Sequence, residues 1–366
     1  MIFLAPNNIM MNILSEKENL LLMEIILKNE KENNLINLKT LSSIKIGDKP
    51  ILHLDLYDNG DIISNSEEKV FIIHIKNKKI EVKGIFNINN DYFISLDKNL
   101  NIKINYCIMI EKVNFLLYYN IIDKDQKNIF KIDRITIKNI NAPIIDCKSS
   151  NLFESGEFSI FSIEKISKTI SVVIGAKDKI IKNNKKIIFL KFFEYINEQL
   201  ILLNEREIDL NEKDKENIII KKLYENYVII SEQIKGYIIY NFRDNKVLAK
   251  FECDNIISMY IQNINNKMSL YTIEIKESLK KDLNQALIKK YSIKNNSKFN
   301  TDKLFTFDND LVNNIELPVH LSTNKIINMI VISNDNNEKT EKKKEEFELN
   351  LVFFTDDIGN IFYKYY

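Results

Sequence analysis

The lysines of the stretch KDKIIKNNKK are the residues whose type and spacing best suit ligand binding. Five of them stand close together in the chain: Lys177, Lys179, Lys182, Lys185 and Lys186. Ammonium groups at this spacing can hold a nucleic-acid backbone by charge alone. The stretch has no arginine and no aromatic side chain, and a lysine-rich turn between two strands is its ordinary role in this composition. The alternative to an ordinary turn is a nucleic-acid site with RNA as its ligand, and these five lysines are the candidate residues for it.

Two pairs of carboxylates have the residue types of metal or acid–base sites. Asp356 and Asp357 stand in TDDIGN, and Asp308 and Asp310 stand in FDNDL. Paired carboxylates can bind a cation or exchange protons with a substrate. Both pairs lie beside apparent hairpins, where aspartate bonds to its own backbone. We therefore expect turn residues and no metal site.

Known catalytic motifs are excluded by residue counts. The seven glycines never stand five apart, so no GxxxxGK[ST] phosphate loop exists, and GxGxxG and GxSxG are also missing. The three histidines, His53, His74 and His320, form no HExxH, and the cysteines form no CxxC. A Ser-His-Asp or Cys-His device would have to be assembled from distant parts of the chain. We expect no catalytic residue, cofactor or metal, hence a protein that is not an enzyme.

Composition limits the partners and the compartment. The 52 Lys and Arg residues against 51 Asp and Glu give a net charge of +1, so no global field attracts nucleic acid or an anionic membrane. The odd, widely separated cysteines Cys107, Cys147 and Cys253 argue against a disulfide framework and for a reducing compartment. The first residues, MIFLAPNNIMMN, lack a basic n-region, and no apolar run approaches the length of a membrane span. We expect a cytoplasmic or nuclear protein without a membrane role.

The elements that must position these residues are short strands. From Asn226 to Ile261 the apolar runs YVIIS, YIIYNF, KVLAKFE and NIISMYI alternate with the polar turns EQIKG, RDN and CDN. Runs of β-branched and aromatic residues between such turns predict strands joined as hairpins. Gly236 stands where a tight turn needs a positive φ. The stretch predicts three strands of one unit and the first strand of the next.

The same rhythm recurs along the chain. Comparable units cover PILHLDLYDNG with Asp61 to Phe86, Thr169 to Ile208, and the runs KMSLYTIEI, ALIKKYSI and DKLFTF, with a final pair in ELNLVFFTDDIGNIFYKYY. The segment from Tyr92 to Cys147 contains strands whose register the sequence does not define. A four-stranded antiparallel unit that repeats every ~40–45 residues is typical of a β-propeller blade, and about seven blades fit this length.

The segment VIISEQIKGYIIYNFRDNKVLAKF resembles a WD-repeat blade, in which strands b, c and d follow one another with a glycine in the first turn. LVFFTDDIGNIFYKYY resembles the b–c hairpin of such a blade. The chain differs from the family in lacking any Trp, a Gly-His pair before a unit and a Trp-Asp ending on strand c. The resemblance thus concerns the strand pattern and implies a degenerate propeller, all-β, spanning residues 1–366 as a single domain.

Two segments also fit a helix. SEKENLLLMEIILKNE begins with a capping-box arrangement of Ser15 and Glu18, although a hairpin of LLLMEIIL with NLINLKTL suits the propeller better. ESLKKDLNQALIKKY repeats Leu279, Leu283 and Leu287 at intervals of four and predicts a helical insertion in a hairpin loop.

Both ends of the chain and one charged segment complete the predicted domain. Ser333 to Glu346 has no apolar side chain to bury and predicts a disordered loop. The chain stops after two strands and begins with the run MIFLA, so we expect Ile2 to Ala5 to pair beside Asn360 to Tyr366 and close the ring.

Function follows from the fold and from the missing catalytic motifs. The leading hypothesis is a non-enzymatic scaffold or adaptor subunit that binds one or more protein subunits, because propeller loops vary freely on a rigid frame. The alternatives are a non-catalytic propeller subunit of an RNA-modifying complex, similar to those of tRNA methyltransferases, and a propeller hydrolase.

Overall fold

The chain forms two compact units, Met1–Leu210 and Asn211–Tyr366. A computed structural model describes the following residues: 2–4, 10–16, 19–28, 35–46, 49, 51–56, 61–87, 101–111, 114–122, 128–139, 146–156, 158–182, 185–211, 218–231, 236–252, 255–264, 267–276, 285–295, 305–308, 315–316, 326–333, 350–356 and 361–365. All regular elements among them are β-strands, rich in the β-branched and aromatic residues that suit a pleated surface. In this part of the chain no helix is long and apolar enough to cross a bilayer.

The first unit contains four sheets, each with four strands that are neighbours in chain order. The first sheet comprises β1 (Ile2–Leu4), β2 (Met10–Glu16), β3 (Asn19–Lys28) and β4 (Leu35–Lys45). The second comprises β5 (His53–Leu56), β6 (Asp61–Asn65), β7 (Lys69–Lys76) and β8 (Lys79–Asn87). The third comprises β9 (Asn101–Glu111), β10 (Asn114–Ile122), β11 (Asn128–Asn139) and β12 (Asp146–Gly156). The fourth comprises β13 (Phe158–Lys165), β14 (Ile170–Lys182), β15 (Lys185–Ile196) and β16 (Gln199–Asn211).

The second unit contains three sheets built in the same way. The fifth sheet comprises β17 (Ile220–Tyr224), β18 (Tyr227–Ser231), β19 (Tyr237–Asn241) and β20 (Lys246–Phe251). The sixth comprises β21 (Asn255–Ile264), β22 (Lys267–Lys276), β23 (Gln285–Asn295) and β24 (Phe305–Asp308), with β25 (Ile315–Glu316) also paired to β23. The seventh comprises β26 (Ile326–Ser333), β27 (Asn350–Asp356) and β28 (Ile361–Tyr365).

These seven consecutive antiparallel meanders are the blade units of a β-propeller, which confirms the predicted fold class. Five have four strands, the sixth gains an extra strand, and the seventh has three described strands. The resemblance to WD-repeat blades is likewise confirmed in the strand order of each sheet. The single domain over residues 1–366 stays a prediction.

The core lies between the faces of consecutive sheets. One cluster joins Phe71 and Ile73 of the second sheet to Leu20 and Leu22 of the first. Similar apolar clusters join the second sheet to the third, the third to the fourth, and the fifth to the sixth. Within each unit, the first strand of a sheet also contacts the first strand of the next: β1 with β5, β5 with β9, β9 with β13, β17 with β21 and β21 with β26.

The best-defined sequence unit has the strands that were predicted. β18, β19 and β20 occupy YVIIS, YIIYN and KVLAKF, and β21 begins the next sheet. Gly236 has a φ of 100°, as the turn before β19 requires. The hairpin interpretation of the N-terminal segment is also confirmed, because β3 pairs with β4 out to Lys28 and Leu35. Leu20 and Leu22 of β3 are fully buried, and this two-residue spacing of buried positions is that of a strand.

The helical insertion predicted at ESLKKDLNQALIKKY is wrong for its second half. Gln285 begins β23, where Leu287 lies opposite Glu274 and Tyr291 lies opposite Leu270. An interval of four residues is also a multiple of two, so the same spacing fits one face of a strand. Leu279 and Leu283 lie outside the described residues.

The predicted pairing between the chain ends is not found among the described residues. Ile2–Leu4 pairs with β2 of the first sheet, with Ile2 opposite Ile13, and Ile361–Tyr365 pairs with β27. Ile2–Leu4 therefore forms the first strand of its own sheet. Of the predicted disordered loop only Ser333 is described, as the last residue of β26, and the rest lies outside the described residues.

Candidate functional site

The five candidate lysines lie at one end of the fourth sheet. Lys177, Lys179 and Lys182 belong to β14, Lys185 and Lys186 belong to β15, and Lys182 pairs with Lys185. The stretch was expected to form a turn between two strands, but the strands continue through it and leave only residues 183–184 between them. The register shifts between Ala176 and Ile181, so a bulge precedes the end of the hairpin. The structure brings the five positions together on adjacent strands, and their RNA role stays a prediction.

The carboxylate pairs lie where strands end. Asp308 is the last residue of β24, and Asp356 is the last residue of β27. Their partners Asp310 and Asp357 lie outside the described residues. Thr355 pairs with Ile361, so the paired strands β27 and β28 flank the DDIGN segment.

A surface that the sequence analysis did not identify lies at the other end of β15. Ile196, Ile201 and Leu202 expose 46%, 43% and 41% of their surface, and together they are called the apolar hairpin tip. The turn between β15 and β16 has only two central residues, Asn197 and Glu198, with φ values of 49° and 62°. Positive φ at both positions is the geometry of a tight type I′ hairpin. The signal in the sequence was the uncharged run LILL, residues 200–203, which follows this turn after Gln199. Because neighbouring strand residues point to opposite faces, such a run places apolar side chains on both faces of the strand.

Charged side chains hold the apolar hairpin tip in place. Arg134 of β11 pairs with Glu198 in the turn at 3.0 Å and donates to the Tyr195 hydroxyl at 3.3 Å. Lys191 of β15 donates to Glu205 of β16 at 2.5 Å, and its ammonium lies 5.2 Å from the centre of the Phe158 ring. The hairpin is thus fastened both to its own sheet and to the third sheet.

A polar cluster lies where the first strands of the second, third and fourth sheets meet. The first-strand cluster comprises His53 and Asp55 of β5, Tyr106 and Cys107 of β9, and Glu164 and Lys165 of β13. The His53 ring stacks on Tyr106 with centroids 3.5 Å apart, and Lys165 donates to Asp55 at 2.6 Å. Tyr106 meets Tyr118 edge to face, and the Tyr118 hydroxyl lies 2.7 Å from that of Ser171 on β14. These contacts connect three sheets through side chains far apart in sequence.

Burial determines the protonation of this cluster. It lowers the pKa of His53 to about 3, with the charge of Lys165 adding to the effect, so the imidazole is neutral at pH 7. Burial also raises the pKa of the Tyr106 hydroxyl and of the Cys107 thiol, and nearby carboxylates act in the same direction. Cys107 is a buried free thiol and therefore a poor nucleophile, as expected for a core cysteine. The arrangement suits packing and cross-linking of sheets more than proton transfer.

His74 has a different surrounding in the second sheet. Its Nδ1 lies 2.6 Å from a carboxylate oxygen of Asp61, and Lys83 donates to the same oxygen at 2.8 Å. This triple contact joins β6, β7 and β8, so His74 is a structural residue within one sheet. His320 lies outside the described residues.

No protein family model and no curated protein matches the sequence. Among solved structures, the WD40 domain of SCAP from fission yeast is 10% identical with a TM-score of 0.41, covering 97% of this chain and 86% of that one. The structure of BBS1N in complex with ARL6DN is 9% identical with a TM-score of 0.46, covering 99% and 89%. The Dos1 propeller is 12% identical with a TM-score of 0.43, covering 82% and 72%. At these identities and scores the similarities carry no information on function.

Proposed function

We propose that this protein is a non-enzymatic interaction scaffold, an adaptor subunit of a larger assembly in the cytoplasm or nucleus. The observation that carries the proposal is the apolar hairpin tip. Three large apolar side chains are exposed within seven consecutive residues, 196–202, on a hairpin held by two ion pairs. Large exposed apolar side chains grouped on one hairpin are typical of a protein-binding site.

Affinity purification from the native cell tests the proposal. We expect the wild-type chain to retain a stoichiometric protein partner that the Ile201→Lys/Leu202→Lys variant loses. The matched control is Leu52→Lys/Tyr224→Lys, because Leu52 and Tyr224 are also large and exposed, at 47% and 39%, but lie elsewhere. Absence of any stoichiometric partner from the wild-type preparation would contradict the scaffold role.

The RNA-modifying complex is the second candidate, and the closeness of the five lysine positions at the end of the β14–β15 hairpin favours it. That end and the apolar hairpin tip lie at opposite ends of β15, whose 12 residues span about 40 Å. The two candidate sites can therefore be altered independently. Changing Lys182, Lys185 and Lys186 to Glu should weaken RNA binding and flatten its salt dependence. RNA binding unaffected by these changes would remove this candidate.

A further inference from the structure

The end of the β14–β15 hairpin places two of the five candidate lysines directly opposite each other. Lys182 and Lys185 are partners across the ladder and flank a turn of two residues, 183–184. Residues directly opposite each other in an antiparallel pair have Cβ atoms about 5 Å apart. Neighbouring pairs belong to opposite faces, so Lys186, which is opposite Ile181, is on the other face of the hairpin. The register thus distinguishes lysines that sequence spacing alone does not.

The remaining two lysines lie outside this paired end. The ladder between β14 and β15 is interrupted at residues 177–180, where four residues of β14 stand against one residue of β15. Lys177 and Lys179 belong to this interruption. Lys177 pairs instead with Phe158 of β13, on the other side of the strand. The two pairs of lysines therefore carry the same charge in different backbone settings.

Two like charges opposite each other do not stabilise a hairpin. Opposed like charges in an antiparallel pair are destabilising, and the segment 179–193 contains no Asp or Glu. Elsewhere in the first unit, lysines on strands pair with carboxylates, as Lys131 does with Glu154 and Lys165 does with Asp55. An anion from outside the chain would relieve the repulsion at the hairpin end, so this arrangement suits binding better than folding.

We infer that Lys182 and Lys185 act together on the phosphate groups of an RNA backbone and bind it without reading the bases. This inference rests on the RNA-binding role given above as the second candidate function, and it names the residues and the mode of binding. Lysine carries a compact charge on a flexible four-carbon stem, so two opposed lysines can reach one phosphate or two successive ones. Lysine recognises phosphate as a point charge, which requires no fixed geometry.

The composition of the hairpin end favours an RNA backbone over other anions. Arginine, which gives the paired hydrogen bonds typical of carboxylate and phosphorylated side-chain sites, is absent between Arg134 and Arg206. The turn consists of Asn183 and Asn184, so it offers no apolar side chain to enter a lipid bilayer. No aromatic residue occurs from 177 to 188 on which a base could stack. Binding by charge alone is what the repeated phosphates of a nucleic-acid backbone supply.

The test measures fluorescence anisotropy of labelled oligouridine with the full chain over a range of salt concentrations. Lys182→Ala/Lys185→Ala should weaken binding about tenfold at low salt and reduce the slope of log affinity against log salt by about 1.4, as expected for two lost phosphate contacts. Lys177→Ala/Lys179→Ala is the matched control, because it removes the same charge outside the paired end, and it should weaken binding less than about threefold. Lys182→Arg/Lys185→Arg keeps the charge and should keep the affinity.

The other outcomes separate this inference from the candidate function on which it rests. Oligoadenylate should bind within about threefold of oligouridine, because phosphate contacts carry no sequence information, and a strong preference for one of them would overturn backbone binding. Equal losses in the two alanine variants would overturn the role of the opposed pair and leave the RNA-binding candidate standing. No RNA binding by the wild type would remove both. Tighter binding to oligodeoxythymidine or to phosphatidylserine vesicles, lost in Lys182→Ala/Lys185→Ala, would overturn RNA as the ligand.

Discussion

In the first unit, the first strands of the sheets and the last strand of the fourth sheet use their side chains in opposite ways. Where β5, β9 and β13 meet, charged side chains pair across sheets, as Asp55 and Lys165 do. On β16, large apolar side chains such as Ile201 remain exposed. Charged residues are thus paired and partly buried at the first strands, while large apolar residues face solvent on β16.

The difference distinguishes side chains that stabilise the fold from side chains that are available to bind a partner. Lys165 and Asp55 are 110 residues apart, and their contact fixes β13 relative to β5 on either side of β9. Such contacts between sheets specify a unique arrangement, because each partner would otherwise leave a poorly solvated charge. The exposed apolar side chains of β16 contribute little to the folding energy and are available to a partner. Substitutions at the first strands should therefore change stability, and substitutions at β16 should change binding.

The largest loss of stability is expected from a substitution at Gly175 of β14. A Cβ there would lie 2.6 Å from a ring carbon of Phe158 and would also clash with the backbone oxygen of Ser159. Both partners belong to β13, a first strand, and neither can move easily. We expect Gly175→Val to lower the free energy of unfolding by about 3 kcal/mol or more, measured by urea denaturation.

Gly156 at the end of β12 is the matched control for that experiment. A Cβ added there meets no heavy atom within 4 Å. Gly156→Val should change stability by only about 0.5 kcal/mol. Similar losses at the two glycines would contradict the close packing of β13 on β14.

Acid stability tests the first-strand cluster through His53. Its pKa is about 3 in the folded chain and 6.5 in the unfolded chain, so between these values only the unfolded state binds the proton. Stability is therefore complete above pH 6.5 and is lost as the pH falls toward 3, at up to about 1.4 kcal/mol per pH unit. His53→Phe keeps an aromatic ring against Tyr106 and removes the titration. We expect the wild type to lose about 2 kcal/mol more than the variant between pH 6.5 and pH 5. If the free energies of unfolding of the wild type and the variant, measured by chemical denaturation, fall equally between pH 6.5 and pH 5, burial does not keep His53 neutral.

The strands of the fifth sheet could be predicted because polar turns separate short apolar runs. In the third sheet the same approach fails, since β10 buries seven consecutive residues, 115–121, and shows no alternation from which to assign a face or a register. In β23 the spacing of Leu287 and Tyr291 fits a helix and a strand equally. Local pattern thus identifies a strand well when one face is polar and poorly when both faces are buried.

The candidate sites differ in the same way. The five lysines lie within ten consecutive residues, 177–186, so their closeness was visible before the structure. The stacking of His53 on Tyr106 joins residues 53 positions apart, and the Lys165–Asp55 contact spans 110. Nothing in local spacing indicates which distant strands meet, because that depends on how successive sheets pack. The apolar hairpin tip lies between these cases, since its residues are adjacent but their exposure depends on β16 being the last strand.

A smaller effect is expected from the Asp55–Lys165 ion pair. The two side chains are 13% and 21% exposed, so solvent screens the pair only partly. A double-mutant cycle with Asp55→Asn and Lys165→Met should give a coupling energy of about 1 kcal/mol. The pair Lys103–Glu67, at 52% and 39% exposure, serves as the control and should couple by less than about 0.5 kcal/mol. Equal coupling energies in the two cycles would mean that partial burial does not strengthen the Asp55–Lys165 ion pair.

The smallest effect on stability is expected at β16 itself. A small effect there would support the distinction between side chains that stabilise the fold and side chains that are available to bind a partner. Ile201→Lys/Leu202→Lys places charge on side chains that already face solvent, so the free energy of unfolding should stay within about 0.5 kcal/mol of the wild type. Leu200→Lys on the same strand is the control, because Leu200 packs against the core cluster between the third and fourth sheets and a charge there loses apolar burial. Thermal unfolding of the two variants should therefore differ clearly although the substitutions are adjacent. If the exposed pair destabilises the chain as much as Leu200→Lys does, Ile201 and Leu202 belong to the core of the fold, and the apolar hairpin tip is not a docking surface.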